Sequence, residues 1–374
     1  MEILVMSKTR LILVGGFLGA GKTTLLWQLA KRLTAQGKRI GLITNDQAPD
    51  LVDTGLLSEF GTPVEEVAGS CFCCNFPGFI KAVEKLQHEV KADIIIAEPV
   101  GSCTDLSATI LQPLKDKFHE QIALAPFSVL VDPQRVHEIF LKTKKQLHDS
   151  AAYIVGKQME EADTIIVNKS DTLSPDALLE VTELLKKHYP NTTIRQMSAL
   201  TGTGIEDWLS FVLEQGAAGS RIVDVDYDTY AEGEAVLGWL NAAVQLSGNN
   251  GTPRWEGFLA DVLSGLKGSL QQLSAGIGHI KLLLTSGEGR CLANLTQTDD
   301  AVSLKCDLAS PSSQAEVIIN ARVEMSPEKL EQLVREQLKE SANTYQLTTK
   351  VINLKSLMPG RPNPTYRYDK IIGK

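Results

Sequence analysis

Residues 10–24 read RLILVGGFLGAGKTT. The apolar run LILV (11–14) passes through a glycine-rich turn into KTTLLWQLAKRLTAQG (22–37). There Leu25, Leu26, Leu29, Ala30 and Leu33 share one face of a predicted helix, and Gly37 stops it. Within this stretch GFLGAGKT (16–23) satisfies G-x-x-x-x-G-K-[ST] directly after a strand and directly before a helix. Gly16, Gly19 and Gly21, with Ala20 between them, let backbone N–H groups turn toward phosphate oxygens. Lys22 brings a positive charge to the β and γ phosphates. The Thr23 hydroxyl can ligate Mg²⁺, and the helix start at Thr23–Thr24 adds favourable potential at the same spot.

Outward from this loop, residues 9–215 alternate short apolar runs with amphipathic stretches. The predicted strands are 10–14, 39–44, 93–98, 127–132, 163–168 and 192–198, each read as apolar on both faces. A second helical pattern runs from Phe79 through Ile80, Val83, Leu86 and Val90. The alternation predicts an α/β fold, a mostly parallel sheet with helices on both sides. The small-residue stretch EQGAAGSRI (214–222) reads as a linker, dividing the chain into domains at 1–219 and 220–374. Beyond it we expect a strand near 232–246, a helix at 254–273 and strands near 278–285, 290–297 and 315–323. A helix at 326–341 and a strand at 345–354 follow. That order suits a small α+β domain of ferredoxin-like type, ending in the proline-rich, extended MPGRPNPTYRYDK (358–370).

Four strand ends supply the rest of a nucleotide site, because ligands of open α/β sheets sit beyond the carboxyl ends of the strands. Asn168-Lys169-Ser170-Asp171 follows the strand 163–168 as an NKxD base-recognition loop. The Asp171 carboxylate can accept two hydrogen bonds from guanine, whereas adenine presents the opposite pattern at its ring nitrogen. Ser198-Ala199-Leu200 ends the next strand and can offer a backbone N–H to the guanine carbonyl. Asp46 and Glu98 end two further strands near the expected Mg²⁺ and γ-phosphate, and Gly101 is placed to offer an N–H to that phosphate. Lys22, Asp46 and Glu98 are the expected catalytic residues. No glutamine stands out as the group that positions the attacking water.

Between these segments lies GSCFCC (69–74). Three thiolates in four positions are soft ligands suited to Zn²⁺ or Cu(I), with Co²⁺ and Ni²⁺ also compatible. Structural zinc sites take four protein ligands, so a three-thiolate set leaves a fourth position open or filled by a partner, which suits a metal that must later leave. A buried structural cluster and a redox thiol pair are the alternatives. Cys103, Cys291 and Cys306 read as isolated core or incidental residues.

Bulk properties narrow the partners. The net charge is −8 over 374 residues, which argues against nucleic acid and membrane surfaces as partners. No apolar run approaches the roughly 20 residues of a membrane helix. The start MEILVMSKTR reads as a lead-in to a strand, and clustered cysteines suit a reducing cytoplasm.

The motifs GGFLGAGKTT, GSCFCC, EPVG (98–101) and VNKSD (167–171) occur in the order seen in the CobW-like metallochaperone GTPases, relatives of the urease and hydrogenase nickel-insertion GTPases. Residues 9–215 resemble that group. The resemblance implies a GTPase that carries a transition metal, Zn²⁺ before Co²⁺ or Ni²⁺, on Cys71, Cys73 and Cys74 and delivers it to an apo-metalloenzyme client. It also implies GTP and GDP as ligands, Mg²⁺ at Thr23, Asp46 and Glu98, and a nucleotide-linked homodimer. Two stretches depart from the usual pattern: NDQAP (45–49) stands where many members carry NEFGE, and EPVG replaces ESTG. A second reading makes the chain a GTPase chaperone or regulator of a corrinoid (cobalamin)-dependent enzyme, with the cysteines as metal sensor. In either case GTP is expected to order the segments 46–55 and 98–105 around the cysteines, with Asp50 or Asp53 as an exchangeable metal ligand.

Overall fold

The computed structural model describes residues 8–46, 52, 62–142, 147–308, 310 and 312–373. Asp50 and Asp53 lie outside the described residues.

The first sheet follows from a run of buried, β-branched segments. Its strands are β1 (Thr9–Gly16), β2 (Ile40–Asp46), β3 (Val64–Ala68), β4 (Ile94–Glu98), β5 (Ile122–Leu124), β6 (Ser128–Val131), β7 (Thr164–Val167) and β8 (Thr193–Gln196). They are ordered β3-β2-β4-β1-β6-β7-β8, with β5 also on β1, and their pairings are parallel. Strand alternation explains why helices are needed on both faces. Ile12 and Val14 of β1 pack with Leu25, Leu26 and Leu29 of the helix Lys22–Ala35. Leu11 and Leu13 point the other way, into a core with Phe79, Ile80 and Val83 of the helix Phe76–Lys85. The strand at 193–196 departs from expectation: it lies at the sheet edge, and its residues are exposed or half-buried. Strands β3 and β5 were not legible in the sequence, since β3 (VEEVA) carries two adjacent acidic residues and β5 has three residues.

The second sheet is antiparallel, with strands β9 (Gly238–Gly248), β10 (Ile277–Ser286), β11 (Gly289–Leu295), β12 (Ser303–Asp307), β13 (Gln314–Val323) and β14 (Leu347–Leu357) in the order β12-β11-β10-β13-β9-β14. Without the added β11 and β12, the order β10-β13-β9-β14 with its two crossover helices is the split βαβ arrangement of a ferredoxin-like unit. The helices Trp255–Gln272 and Pro327–Thr344 cover one face, burying Leu240, Ala242, Val244, Ile280, Leu282, Ile319 and Ala321. Alternate residues Trp239, His279, Lys281 and Arg322 face the other way, toward the first sheet.

Two expectations are corrected here. Residues 227–235 are helical, not the start of a strand, and this helix packs on Asp149–Glu161 so tightly that a Cβ on Gly233 would lie 2.4 Å from the Ser150 carbonyl. Cys291 and Cys306 are not isolated: they stand directly opposite on β11 and β12 and form a disulfide. No helix among the described residues is long and apolar enough to cross a membrane.

Candidate nucleotide and metal site

The loop after β1 is shaped by what its glycines avoid. A Cβ on Gly16 (φ 129°) would lie 2.3 Å from the Leu130 carbonyl, and one on Gly21 (φ 94°) 2.3 Å from the Asn168 amide nitrogen. Gly21 caps the helix Lys22–Ala35 in a left-handed conformation, with no side-chain cap and no acidic residue in the first turn. The first helical N–H groups therefore face the cavity as an anion site. Lys22 is buried, and its Nζ donates to the Gly16 carbonyl at 2.8 Å, curling over the loop where phosphates would lie.

The structure gathers the strand-end residues around one cavity of about 410 Å³, lined by Gly19, Gly21, Lys22, Thr23, Thr24, Asp46, Glu98, Gly101, Asn168, Lys169, Asp171, Ala199 and Leu200. That volume lies in the range of small-molecule sites. Thr23 Oγ1 sits 3.2 Å from both Glu98 carboxylate oxygens, and Lys22 Nζ is 3.8 Å from Glu98. Asp46 is held elsewhere: its Oδ2 accepts from Arg322 at 2.6 Å, and that guanidinium lies 4.3 Å over the Trp239 ring. The three expected Mg²⁺ partners thus divide, Thr23 and Glu98 together and Asp46 on an ion pair from the second sheet. Lys281 donates to Thr23 Oγ1 at 3.4 Å, and burial with Lys281 and Arg322 nearby holds His279 neutral, far below its ordinary range. The second sheet therefore forms the roof of the cavity, a role no sequence signal suggested.

At the far end, Asn168 braces the site. Its Nδ2 donates to the Ala20 carbonyl at 2.7 Å, and its Oδ1 accepts from the Ala199 amide at 2.9 Å, tying phosphate loop to base loop. Lys169 pairs with Asp132 at 2.6 Å, and Asp171 accepts from Ser198 Oγ at 2.5 Å. The amides of Ser198 and Ala199 are both engaged, the former by the Thr203 carbonyl, so Leu200 is the one of the three expected residues left to offer an N–H outward.

The cysteines sit beside this cavity. β3 runs parallel to β2 and delivers the loop 69–75 to the same sheet edge. The Asn45 side chain pins that loop, donating to the Val67 and Ser70 carbonyls at 2.6 and 2.8 Å and accepting from the Phe72 amide at 2.9 Å. Asn45 and Asp46 themselves line the cavity. The Cys71 and Cys73 sulfurs are 3.0 Å apart, those of Cys73 and Cys74 3.8 Å, and the three lie within 4.8 Å of one another. Cys103 is a buried core residue, as expected, outside the group of three sulfurs but near enough for its thiol to influence Cys71 and Cys73. Hydrogen bonds from Cys103, Cys73 and Cys74 hold the Cys71 thiol well below the usual range, and the first of these neighbours pushes Cys73 well above it. Cys71 in turn pushes Cys74 up to about 11, so the thiols titrate as a coupled group in which Cys71 is the most acidic.

The C-terminal stretch straps this cup. Thr365 N–H donates to the Cys73 carbonyl at 2.8 Å and Asn363 N–H to Cys74 Sγ at 3.3 Å. Arg367 pairs with Asp105 at 2.7 Å, and the Tyr366 ring stands edge-on to Phe76 at 5.3 Å.

Comparison with known proteins agrees with the loop geometry. Residues 10–195 match the model of the CobW/HypB/UreG nucleotide-binding domain. The chain is 29% identical over 171 residues to zinc chaperone YeiR of Escherichia coli, covering 45% of this chain and 49% of that protein. It is also 29% identical over 194 residues to zinc chaperone CobW of a Sinorhizobium species, covering 45% and 52%. Zinc-regulated GTPase metalloprotein activator 1 of Schizosaccharomyces pombe is 29% identical over 181 residues, covering 46% and 41%. The chain thus spans about half the length of the curated relatives it matches. Among solved structures, HypB from Helicobacter pylori in complex with nickel aligns with 22% identity and a TM-score of 0.40, covering 56% of this chain and 88% of that one. The family model covers the phosphate loop, the cysteine loop, the Glu98 strand end and the NKSD turn alike: residues 10–195 belong to the CobW/HypB/UreG family of nucleotide-binding domains.

Proposed function

We propose that this chain is a GTP-hydrolysing metallochaperone that carries Zn²⁺ on its cysteine loop, Co²⁺ or Ni²⁺ being weaker candidates, and hands it to an apo-metalloenzyme. The observation that carries this reading is Asn45. One side chain holds the cysteine loop through three hydrogen bonds while its neighbour Asp46 lines the nucleotide cavity, so a change at one site is felt at the other. Three similar proteins are named for zinc, two of them as zinc chaperones, which favours zinc as the cargo.

In this reading Gly16 to Thr24 cradle the phosphates, Lys22 leaves the Gly16 carbonyl for the β and γ oxygens, and Gly101, packed against the Lys22 ammonium, faces the γ-phosphate. Asp171 reads guanine, the Leu200 amide meets its carbonyl, and Asn168 holds the two loops in register. Thr23 and Glu98 fit Mg²⁺, since a hydroxyl and a buried carboxylate converge at 3.2 Å. Bound there, Mg²⁺ supplies charge neutralisation to the phosphates. Asp46, whose Oδ2 accepts from Arg322, would join them through Oδ1 or by exchanging that partner. The domains divide near residue 220, the protein works in the cytoplasm, and a nucleotide-linked homodimer presents the metal to the client.

Zn²⁺ titrations of the protein loaded with a non-hydrolysable GTP analogue and with GDP test the coupling. A tenfold difference in affinity corresponds to about 1.4 kcal/mol of coupling. Equal affinities in the two states remove the chaperone cycle.

A further inference from the structure

The face that the second sheet turns toward the nucleotide cavity carries a row of polar residues. Lys281 on β10 stands opposite Asn320 of β13 and Asn294 of β11, and Asn294 stands opposite Ser303 of β12. Strand alternation sets the direction: Ile280 and Leu282 are buried under the two helices, so Lys281 projects into the cavity. Its Nζ lies 3.4 Å from Thr23 Oγ1, in the first turn of the helix Lys22–Ala35. From the first sheet Lys22 reaches the same place, since a Cβ on Gly101 would lie 3.1 Å from Lys22 Nζ. Two ammonium groups, one from each domain, thus flank the end of the phosphate loop where Thr23, Glu98 and Gly101 converge.

The roof is fixed over that spot at several points. Arg322 of β13 donates to Asp46 at 2.6 Å, and Asn320 Oδ1, two residues back on the same strand, accepts from the Val52 amide at 2.9 Å. Arg135 Nη2 donates to the Ile277 carbonyl at 2.8 Å, where β10 begins. The phosphate loop itself touches the roof. A Cβ on Gly19 would lie 2.9 Å from the Thr296 methyl, and one on Gly278 2.8 Å from a Leu18 methyl.

We propose that Lys281 is a catalytic residue of the GTPase site, a cation that the second domain supplies in cis to the γ-phosphate. This rests on the reading of the cavity as a GTP site. In hydrolysis a water oxygen bonds to the γ-phosphorus, and the bond from that phosphorus to the β–γ bridging oxygen breaks. GDP leaves with the electron pair, and both water hydrogens leave with the released phosphate, one of them passing to another of its oxygens. Negative charge shifts among the bridging and γ oxygens as the bond breaks. Lys22 meets it from the floor at the β and γ oxygens, and Lys281 meets it from the roof at the γ oxygens. A fixed charge between two packed sheets is worth more than the same charge in bulk water. Arg322 has a different part. Its guanidinium is engaged with Asp46, with the Leu240 and Ala321 carbonyls and with the Trp239 ring, so it pins the roof in place and does not reach substrate. Turnover then depends on how the second domain sits on the first.

The test is GTP hydrolysis by the full-length protein with Mg²⁺, wild type beside Lys281→Ala, Lys281→Met and Lys281→Arg. Both neutral variants should lose kcat on the order of 10²- to 10³-fold, with GDP affinity unchanged. GDP with aluminium fluoride, a mimic of the phosphoryl group in transfer, should bind them more weakly by a similar factor. Lys281→Arg should recover most of the rate. Should Lys281→Ala fail to fold, Lys281→Met, which keeps the side-chain stem, carries the test. Wild-type kcat in Lys281→Met overturns the proposal, as does a loss of GDP affinity as large as the loss of kcat, which marks a structural role. A wild type that does not hydrolyse GTP overturns the reading of the site itself, so the two failures are told apart.

Discussion

The nucleotide cavity and the thiol cup share one sheet edge, yet they are built in opposite ways. The cavity is an open space of about 410 Å³ whose charged groups have provisional partners: Lys22 on a carbonyl, Asp46 on Arg322, Thr23 on Glu98. Nucleotide can enter and exchange those partners one for one. The cup is largely covered: Cys71 and Cys73 are 4% and 2% exposed, Cys74 is half-buried, and the C-terminal strap bonds Cys74. The difference teaches that the two sites need not be opened by the same event: one is ready for its ligand, the other lies beneath a strap.

The sharpest way to break this contrast is Lys22→Ala. It should lower GTP turnover on the order of 10²- to 10³-fold while Zn²⁺ stoichiometry stays unchanged, read by phosphate release and metal analysis on the same sample. Loss of zinc along with turnover would show that the sites are not separately built. Next in size, Asp171→Asn removes a charged acceptor for guanine. Preference for GTP over ATP in competition binding should fall by roughly 10- to 100-fold, as expected for a charge-assisted hydrogen bond. Truncation after Met358 removes the strap and its bonds to Cys73 and Cys74. Zinc transfer to a chelator should then accelerate by about tenfold, with GTP affinity unaltered, given the few hydrogen bonds and the two ion pairs lost, Arg361–Asp228 and Arg367–Asp105. An unchanged transfer rate would show that the strap does not limit release.

The smallest effect on either site comes from Glu161, fully buried beneath the segment that carries Cys103 and accepting from Thr104 Oγ1 at 3.0 Å and the Ser107 amide at 2.9 Å. Burial raises its pKa from the ordinary 4.5 to about 8. The folded protein therefore keeps a proton that the unfolded chain gives up. This stabilisation is complete below about pH 4.5 and is lost as pH rises through about 8. Denaturant melts of Glu161→Gln should show a flatter decline between those values than the wild type, with nucleotide and zinc binding preserved. A parallel decline would place the titrating group elsewhere.

Much of the first region was legible residue by residue. GFLGAGKT, NKSD and the carboxylates at 46 and 98 are local signals, because each strand end in a parallel sheet delivers its loop to one edge whatever the side chains between. The thiol cup was only half legible. CFCC announces itself by spacing, whereas nothing local announces that Cys103 comes near Cys71. The roof was not legible. His279, Lys281 and Arg322 are single polar residues alternating with apolar ones, a pattern shared by any antiparallel strand with one wet face.

What the sequence determined by itself, then, is the parallel sheet, the phosphate loop, the guanine-reading turn and the three clustered thiols, since hydrophobic period and short motifs act over a few residues. Only the tertiary structure decided that Arg322 holds Asp46, that the tail straps Cys74 and that Cys103 comes near Cys71. These contacts span 276, 289 and 32 residues of chain, and no local preference encodes which distant segment will arrive beside a given side chain.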